Sequence, residues 1–236
     1  MKYNQHTKLW ESQYWHPAIT TDAVVFGFDG KQLNVLLIER GGEPYSGKWA
    51  LPGGFLRKDD ETAFHGVCRE LKEETNADIF MEEFGTYSNK GRDPRERVIT
   101  IAFFQLVVKD KYDISGGDDA KQAQWFPVDS LPELAFDHNQ IVADALENLR
   151  QQIHFKPIGF QLLDKTFTMP QLQSIYEAIL GKELDRRNFR KKMLALGYII
   201  DTKKKETGNA YRSPSIYMFD EDAYQNAKKI GMRLEF

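Results

Sequence analysis

The sequence predicts an α+β protein of two domains, and three observations lead to that prediction. The chain has 236 residues, which is long for one domain and comfortable for two. Through its first part, strand-like apolar runs are interspersed with amphipathic helices. The last part has a different order, in which two helices precede a pair of short strands. We therefore expect a mixed α/β domain over residues 1–154 and a smaller domain over residues 155–236.

The strands of the first domain are predicted from apolar runs that end at turn residues. The runs at 23–28 and 33–40 flank a turn at Asp29–Gly30, which is typical of paired strands. A long apolar run follows at 97–108, and 123–134 predicts a short strand and then a turn into a helix. Strong helical periodicity over 138–153 predicts that helix.

A helix between the second and third strand runs has two distinct faces. Acidic residues suit its start, because they favour the positive end of the helix dipole: Asp59, Asp60 and Glu61. Its buried stripe recurs at helical spacing and consists of Phe64, Val67, Cys68 and Leu71. Another face collects Glu70, Glu73 and Glu74 within an arc of about 100°. Hard oxygen ligands on one rigid face suit Mg²⁺ with a phosphate-bearing ligand, whereas the alternative is a solvated acidic face.

Paired glycines and several arginines are candidates to bind such a ligand. Gly53 and Gly54 form a Leu-Pro-Gly-Gly turn before the helix, and glycines let the backbone approach a ligand closely. Guanidinium groups bind phosphate through two hydrogen bonds. The arginines predicted to bind ligand are Arg40, Arg57, Arg92 and Arg95. The alternative is that they pair with the helix glutamates or with Asp93 and Glu96.

The second domain contains a concentration of positive charge. The whole chain has a net charge of −3, yet residues 184–214 contain nine basic and three acidic side chains. Such a separation suggests that this end of the chain meets a polyanion and the other end does not.

The elements of the second domain follow the order of a winged helix. Thr168 caps a helix that ends at Gly181, and a second helix starts near Asp185 and stops at Gly197. The outer face of this second helix carries Arg186, Arg187, Asn188, Arg190 and Lys191. Strands at 198–201 and 215–219 flank a basic loop that contains Lys203, Lys204, Lys205 and Arg212. This order predicts a helix in the major groove of double-stranded DNA, whereas the alternative is an accessory domain that binds protein or aids solubility.

The composition of the chain indicates the cellular compartment in which the protein acts. The chain has one cysteine, so it has no disulfide framework. Its N-terminus has no apolar leader, and no run approaches the length of a membrane span. We therefore expect a cytoplasmic protein that does not enter a membrane.

Residues 53–77 resemble the Nudix box, G-x5-E-x7-R-E-U-x-E-E-x-G-U with U aliphatic. The matching positions are Glu61, Arg69, Glu70, Leu71, Glu73 and Glu74. Six residues rather than five separate Gly54 from Glu61, and Asn76 stands where the pattern has glycine. The resemblance implies a Nudix α/β/α sandwich with Mg²⁺ at the three glutamates. If the site is active, Glu73 and Glu74 are the catalytic residues.

With the winged helix included, the chain resembles the Nudix-related transcriptional regulators of NAD metabolism and their arabinose-responsive relatives. The resemblance is carried by LPGGF, GRDPRERV, the run from Phe167 to Leu194 and the wing. It implies a homodimeric repressor whose affinity for a DNA operator changes when ADP-ribose or a sugar binds. The other interpretation is a Mg²⁺-dependent hydrolase of ADP-ribose or another nucleoside diphosphate derivative. Aromatic residues near the N-terminus contribute to a dimer interface or pack on their own domain: Tyr3, Trp10, Tyr14 and Trp15.

Overall fold

The computed structural model describes residues 2–12, 14–57, 62–116, 120–206 and 213–230. A two-stranded hairpin at the N-terminus comprises β1 (Lys2–Asn4) and β2 (Leu9–Glu11). The first domain then contributes β3 (Ala18–Phe28), β4 (Leu33–Arg40), β5 (Trp49–Ala50), β6 (Gly53–Phe55), α1 (Ala63–Thr75), β7 (Glu82–Tyr87), β8 (Val98–Val108), β9 (Ala120–Pro127) and α2 (His138–Gln152).

These strands form one seven-stranded mixed sheet between two helices. Its main path runs β5-β4-β3-β8-β7, with β6 also paired to β3 and β9 to β4. The central pair, β3 and β8, is parallel from Ala18 opposite Val98 to Phe28 opposite Val108. Successive residues of β3 face opposite sides: Ala23 and Val25 pack in the core with α1, and Val24 and Phe26 pack in the core with α2. The predicted α/β/α sandwich is therefore confirmed.

Helix α1 is bounded by two local capping contacts. The Thr62 side chain accepts a hydrogen bond from the backbone of His65. Asn76 ends the helix in the left-handed conformation at φ 60°, and its N–H donates to Lys72. Asparagine thus supplies the exit where the family pattern has glycine. The residues predicted to open the helix lie outside the described part of the chain: Asp59, Asp60 and Glu61.

The second domain has the architecture of a winged helix. Its elements are β10 (Thr166–Thr168), α3 (Met169–Leu180), α4 (Arg186–Ala195), β11 (Ile199–Lys205), β12 (Ser215–Phe219) and α5 (Glu221–Ile230). The sheet is antiparallel in the order β10-β12-β11. Thr168 and Gln171 form a reciprocal capping box on α3, which ends at Gly181 with φ 66°. The sequence did not predict β10 or α5.

One correction concerns the first strand of the wing. The sequence placed Lys203, Lys204 and Lys205 in a loop, whereas the structure includes them in β11. The ladder resumes after an irregularity, with Lys205 opposite Ser215. Lys203 sits at the irregularity with φ 61°, so the strand continues through a local bend that the charged sequence does not suggest.

The two domains share one apolar core. Helices α2 and α3 pack together, and Arg150 Nε donates to the Ile179 carbonyl at 2.9 Å. A single cluster of buried side chains extends from Val24 and Leu149 in the first domain to Leu172 and Tyr176 in the second. Among the described residues, no helix is long and apolar enough to cross a membrane.

Candidate functional site

A cleft of about 920 Å³ opens beside α1. Its walls come from β3, β4, β6, α1 and the segment before β8. All of the residues predicted to bind metal or ligand lie along it: Arg40, Gly53, Gly54, Arg57, Glu70, Glu73, Glu74, Arg92 and Arg95. The fold therefore brings together residues that are up to 55 positions apart in the chain, and their individual roles remain predictions.

The paired glycines allow β6 to pass directly beneath the glutamates. Gly53 lies opposite Asp22 in the ladder between β3 and β6. A Cβ atom at Gly53, whose φ is +156°, would stand 2.1 Å from the Thr21 carbonyl oxygen. A Cβ atom at Gly54 would stand 2.5 Å from the Glu70 Oε1. Gly53 therefore requires glycine, whereas a side chain at Gly54 would displace the Glu70 carboxylate.

Glu74 is the buried member of the glutamate face. Its side-chain Oε2 accepts a hydrogen bond from the Gly53 N–H at 2.8 Å, and the residue is 8% exposed. Burial, with Glu70 and Asp22 nearby, raises the pKa of Glu74 to about 8 even though the Gly53 N–H opposes the shift. Without a cation in the cleft, this carboxyl group is therefore largely neutral at pH 7.

Two arginines neutralise the other glutamates. Arg69 Nη1 lies 2.7 Å from Glu70 and 3.0 Å from Glu73, and Arg57 lies 2.9 Å from the second oxygen of Glu73. The described residues contain no group of three acidic, histidine or cysteine side chains already arranged to hold a metal. The donor set is nevertheless that of a hard cation. Such an ion would replace the arginine contacts and the Glu74 proton.

A buried charge network that the sequence analysis missed lies behind the glutamates. Arg92 forms a two-pronged pair with Asp137 at 2.7 and 2.9 Å and lies 3.4 Å from Asp22. His138 Nδ1 accepts from the Leu51 N–H at 2.9 Å, so its Nε2 carries the proton and faces Asp22 at 3.6 Å. Burial lowers the pKa of His138. One signal was available, since Asp22 is the one charged residue of β3.

The arginines of the cleft therefore differ in what they can do. The Arg92 side chain is only 5% exposed and forms an ion pair with Asp137. It is therefore better suited to stabilising the walls of the cleft than to binding ligand. Arg40 donates to the Pro44 carbonyl and Arg95 pairs with Asp93, but both also lie over aromatic rings. The Arg40 guanidinium is 4.9 Å from the Phe136 ring centre, and that of Arg95 is 5.1 Å from the Phe55 ring centre. The sequence analysis did not select Phe55 or Phe136.

The basic face of α4 points outward from the winged helix. Phe189 and Met193 are buried beneath it. The side chains predicted to bind DNA along this helix are all exposed: Arg186, Arg187, Asn188, Arg190 and Lys191. Arg190 also donates to the Tyr217 hydroxyl at 3.1 and 3.2 Å, which ties α4 to the wing.

The wing extends this basic surface. Lys203, Lys204 and Lys205 are exposed on β11, and Lys203 lies 3.4 Å from Asp201. Arg212 lies outside the described residues, so its predicted role has no structural test.

At the N-terminus, Tyr3, Tyr14 and Trp15 are exposed, which disfavours packing on their own domain. The side chain of Trp10 lies outside the described part of the structure. The predicted dimer interface remains a prediction.

Models of known protein families match both domains of the chain. Residues 16–148 match the model of the NUDIX domain, and residues 159–219 match that of the NrtR DNA-binding winged helix domain. Fold and cleft thus define the class as a Nudix domain joined to a winged helix. Nudix hydrolases generally use divalent metal ions.

Two relatives match across most of the chain. The ADPR responsive transcriptional repressor NtrR of Acinetobacter baylyi is 30% identical over 213 residues, which are 89% of this chain and 84% of the relative. NrtR of Shewanella oneidensis, solved with a 27mer DNA, is 31% identical with a TM-score of 0.68, over 92% of this chain and 97% of that one. The chain belongs to the NrtR family of Nudix-related regulators, as the sequence predicted.

Two further similarities concern the Nudix part alone. The NUDIX domain of the Shewanella protein, solved with ADP ribose, has a TM-score of 0.55 and 31% identity, over 63% of this chain and 99% of that one. The ADP-ribose pyrophosphatase of Methanocaldococcus jannaschii is 42% identical over 132 residues, which are 56% of this chain and 74% of the enzyme.

Proposed function

We propose that this chain is an ADP-ribose-responsive transcriptional repressor. The observation that carries the proposal is the exposed basic row on α4, which lies outside a winged-helix core in the same chain as a cleft rich in glutamate and arginine. The relatives from Acinetobacter and Shewanella support both halves of it, since one is an ADPR responsive repressor and the other was solved with DNA.

The winged helix binds a double-stranded DNA operator. Helix α4 enters the major groove, where Arg186, Arg187 and Lys191 bind phosphates and Asn188 or an arginine reads base edges. The wing lysines 203–205 contact the backbone beside the groove. The protein acts as a homodimer that reads two half-sites, each protomer dividing into an effector domain over 1–154 and a DNA-binding domain over 155–236.

The cleft binds the effector through its diphosphate. Arg40, Arg57 and Arg95 provide positive charge, and the backbone at Gly53 and Gly54 allows close approach. Glu70, Glu73 and Glu74 hold Mg²⁺, which when bound neutralises the diphosphate. Arg92 keeps the cleft in shape through its pair with Asp137.

DNA binding with and without ADP-ribose tests the proposal. The unaltered protein should bind its own promoter region with steep salt dependence, and ADP-ribose should change that affinity. Replacing Arg187 and Lys191 with alanine removes two phosphate contacts per protomer, so the slope of log K against log salt should fall by about 2 per protomer. The matched control is Lys72→Ala with Lys111→Ala, two exposed lysines of the Nudix domain. Equal slopes for both double variants would refute the role of α4.

A second candidate function is Mg²⁺-dependent hydrolysis of ADP-ribose. The complete glutamate face and the similarity to the Methanocaldococcus pyrophosphatase favour it. A bound Mg²⁺ would polarise the diphosphate and activate water. The assay is AMP release from ADP-ribose with Mg²⁺. If the wild-type protein turns over substrate and Glu73→Gln leaves that rate unchanged, the metal-binding role assigned to this face is wrong.

A further inference from the structure

We infer that helix α2 transmits effector binding from the cleft to the DNA-binding helix α4, and that Arg150 is the positioning residue at its far end. This coupling role rests on the proposed function, because it requires that ADP-ribose in the cleft changes DNA affinity. It adds the element of the fold through which that change passes and the contact on which the passage depends.

Helix α2 begins in the wall of the effector cleft. Asp137, which precedes the first turn, directs its carboxylate to Arg92 at 2.7 and 2.9 Å rather than to the N–H groups of the helix. His138, the first residue of the helix, accepts a hydrogen bond from the Leu51 N–H and faces Asp22. Arg92, Asp22 and His138 all line the cleft. A diphosphate or a cation that binds there therefore changes the charge that acts on the first turn of α2.

The helix is suited to carrying a displacement along its length. Its 15 residues extend about 22 Å. Ile141, Ala145 and Leu149 are fully buried along its inward face. Because close-packed elements shift between discrete arrangements rather than deform continuously, a movement of the first turn becomes a movement of the whole helix.

Arg150 joins the far end of α2 to the end of α3. Its Nε donates to the Ile179 carbonyl at 2.9 Å. Ile179 lies in the last turn of α3, where carbonyl groups lack partners within the helix and favour a positive charge. A Cβ atom at Gly181 would stand 3.1 Å from Arg150 Nη2, so the guanidinium packs directly against the residue that ends α3.

The end of α3 in turn determines where α4 begins. A short turn leads from α3 to Asp185, which caps α4. Glu177 Oε1 accepts a hydrogen bond from the Leu184 N–H at 2.8 Å, and Gln173 Nε2 donates to the Leu184 carbonyl at 2.8 Å. Because α3 holds both backbone groups of Leu184, α4 follows the end of α3 as it moves. A displacement that reaches Arg150 therefore changes the position of the basic face of α4 relative to a DNA groove.

DNA affinity of the full chain with and without saturating ADP-ribose tests this role. The measurement is fluorescence anisotropy of a labelled fragment of its own promoter region. The ratio of the larger to the smaller affinity is the coupling factor, which is about 5–150 in allosteric proteins. Arg150→Met keeps the aliphatic stem but removes the guanidinium, and it should reduce the factor to less than about a third of the wild-type value. Arg150 lies outside the cleft, so ADP-ribose affinity without DNA should change by less than about threefold.

Three further variants identify the atom responsible. Arg150→Gln places an amide nitrogen at the position of Nε, so it should keep the Ile179 hydrogen bond and most of the coupling factor. Arg150→Lys keeps the charge but has a methylene group at that position, so it should lower the factor, and it replaces Arg150→Met if that variant does not fold. Gln151→Met is the matched control, because Gln151 is exposed and donates only to Glu147 of its own helix. It should leave the factor unchanged.

The outcomes separate the coupling role from the proposed function. A wild-type factor in both Arg150→Met and Arg150→Lys overturns the coupling role and leaves the effector assignment intact. Lower stability or weaker DNA binding with an unchanged factor also overturns it, because Arg150 would then only hold the domains together. If ADP-ribose has no effect on the DNA affinity of the unaltered chain, the proposed function fails and the coupling role fails with it.

Discussion

Glu74→Gln should change the pH dependence of stability in a predictable way. The native Glu74 carboxyl group has its pKa raised to about 8, whereas an unfolded glutamate titrates near ~4.3. Between these values the native state keeps a proton that the unfolded state has released, so the free energy of unfolding falls as pH rises. Glutamine has nearly the same shape, can accept the Gly53 hydrogen bond and carries no titrating group.

The magnitude follows from the width of the pH window. Each pH unit inside it costs about 1.4 kcal/mol, so raising the pH from ~5.5 to ~7.5 should destabilise the wild-type protein by about 3 kcal/mol more than the glutamine variant. Burial lowers the pKa of His138, which therefore adds an opposite slope below its unfolded pKa. That slope is common to both proteins and cancels in the difference.

The assay is urea unfolding at several pH values with a chelator present, because a divalent ion would compete with the Glu74 proton. Glu73→Gln is the matched control, since Glu73 is more exposed and pairs with Arg57 and Arg69. Its pH profile should run parallel to that of the wild-type protein. Parallel profiles for Glu74→Gln and wild type would refute the buried neutral carboxyl group.

Two substitutions test how the cleft is built. Gly54→Ala places a methyl group 2.5 Å from the Glu70 carboxylate, so that carboxylate must move and ADP-ribose affinity measured by calorimetry should fall about tenfold; Gly85→Ala, where a methyl group makes only ordinary contact with Tyr87 and does not line the cleft, should not weaken it. Arg92→Ala removes a buried guanidinium from the buried Asp22 and the partly buried Asp137, and should cost about 3–5 kcal/mol in urea unfolding. The exposed pair of Arg57 should contribute less than about 1 kcal/mol, and equal losses for Arg57→Ala and Arg92→Ala would contradict the buried network.

The elements that the sequence predicted well are those whose pattern is local. The bounds of β4 and β12 agree with the predicted runs, because alternating or apolar residues end at clear turn signals. The strand β6 was interpreted as a turn, since Gly53 and Gly54 have no strand propensity. Its extended shape comes from pairing with β3, which a local pattern does not contain. Helix α5 is short and polar and was missed.

The candidate site also combines residues whose placement follows from local spacing with residues whose placement depends on distant parts of the chain. The three glutamates share one helix face, so spacing alone predicted that they gather on one wall of the cleft. Arg92, predicted to bind ligand, lines the cleft, but its partner Asp137 is 45 residues away in the sequence. Phe55 and Phe136 were overlooked, because an aromatic residue beside glycine or aspartate is ordinary in sequence. Only the cleft reveals that one of these rings is exposed.

The apolar cluster shared by the two domains has a consequence for how the molecule unfolds. Leu149 and Ile153 at the end of α2 are fully buried in the same cluster as Leu172 and Tyr176 of the winged helix. Each domain therefore shields apolar surface that the other would leave in water. Heat should melt both together in one transition, so a weakened DNA-binding domain also lowers the temperature at which the cleft is lost.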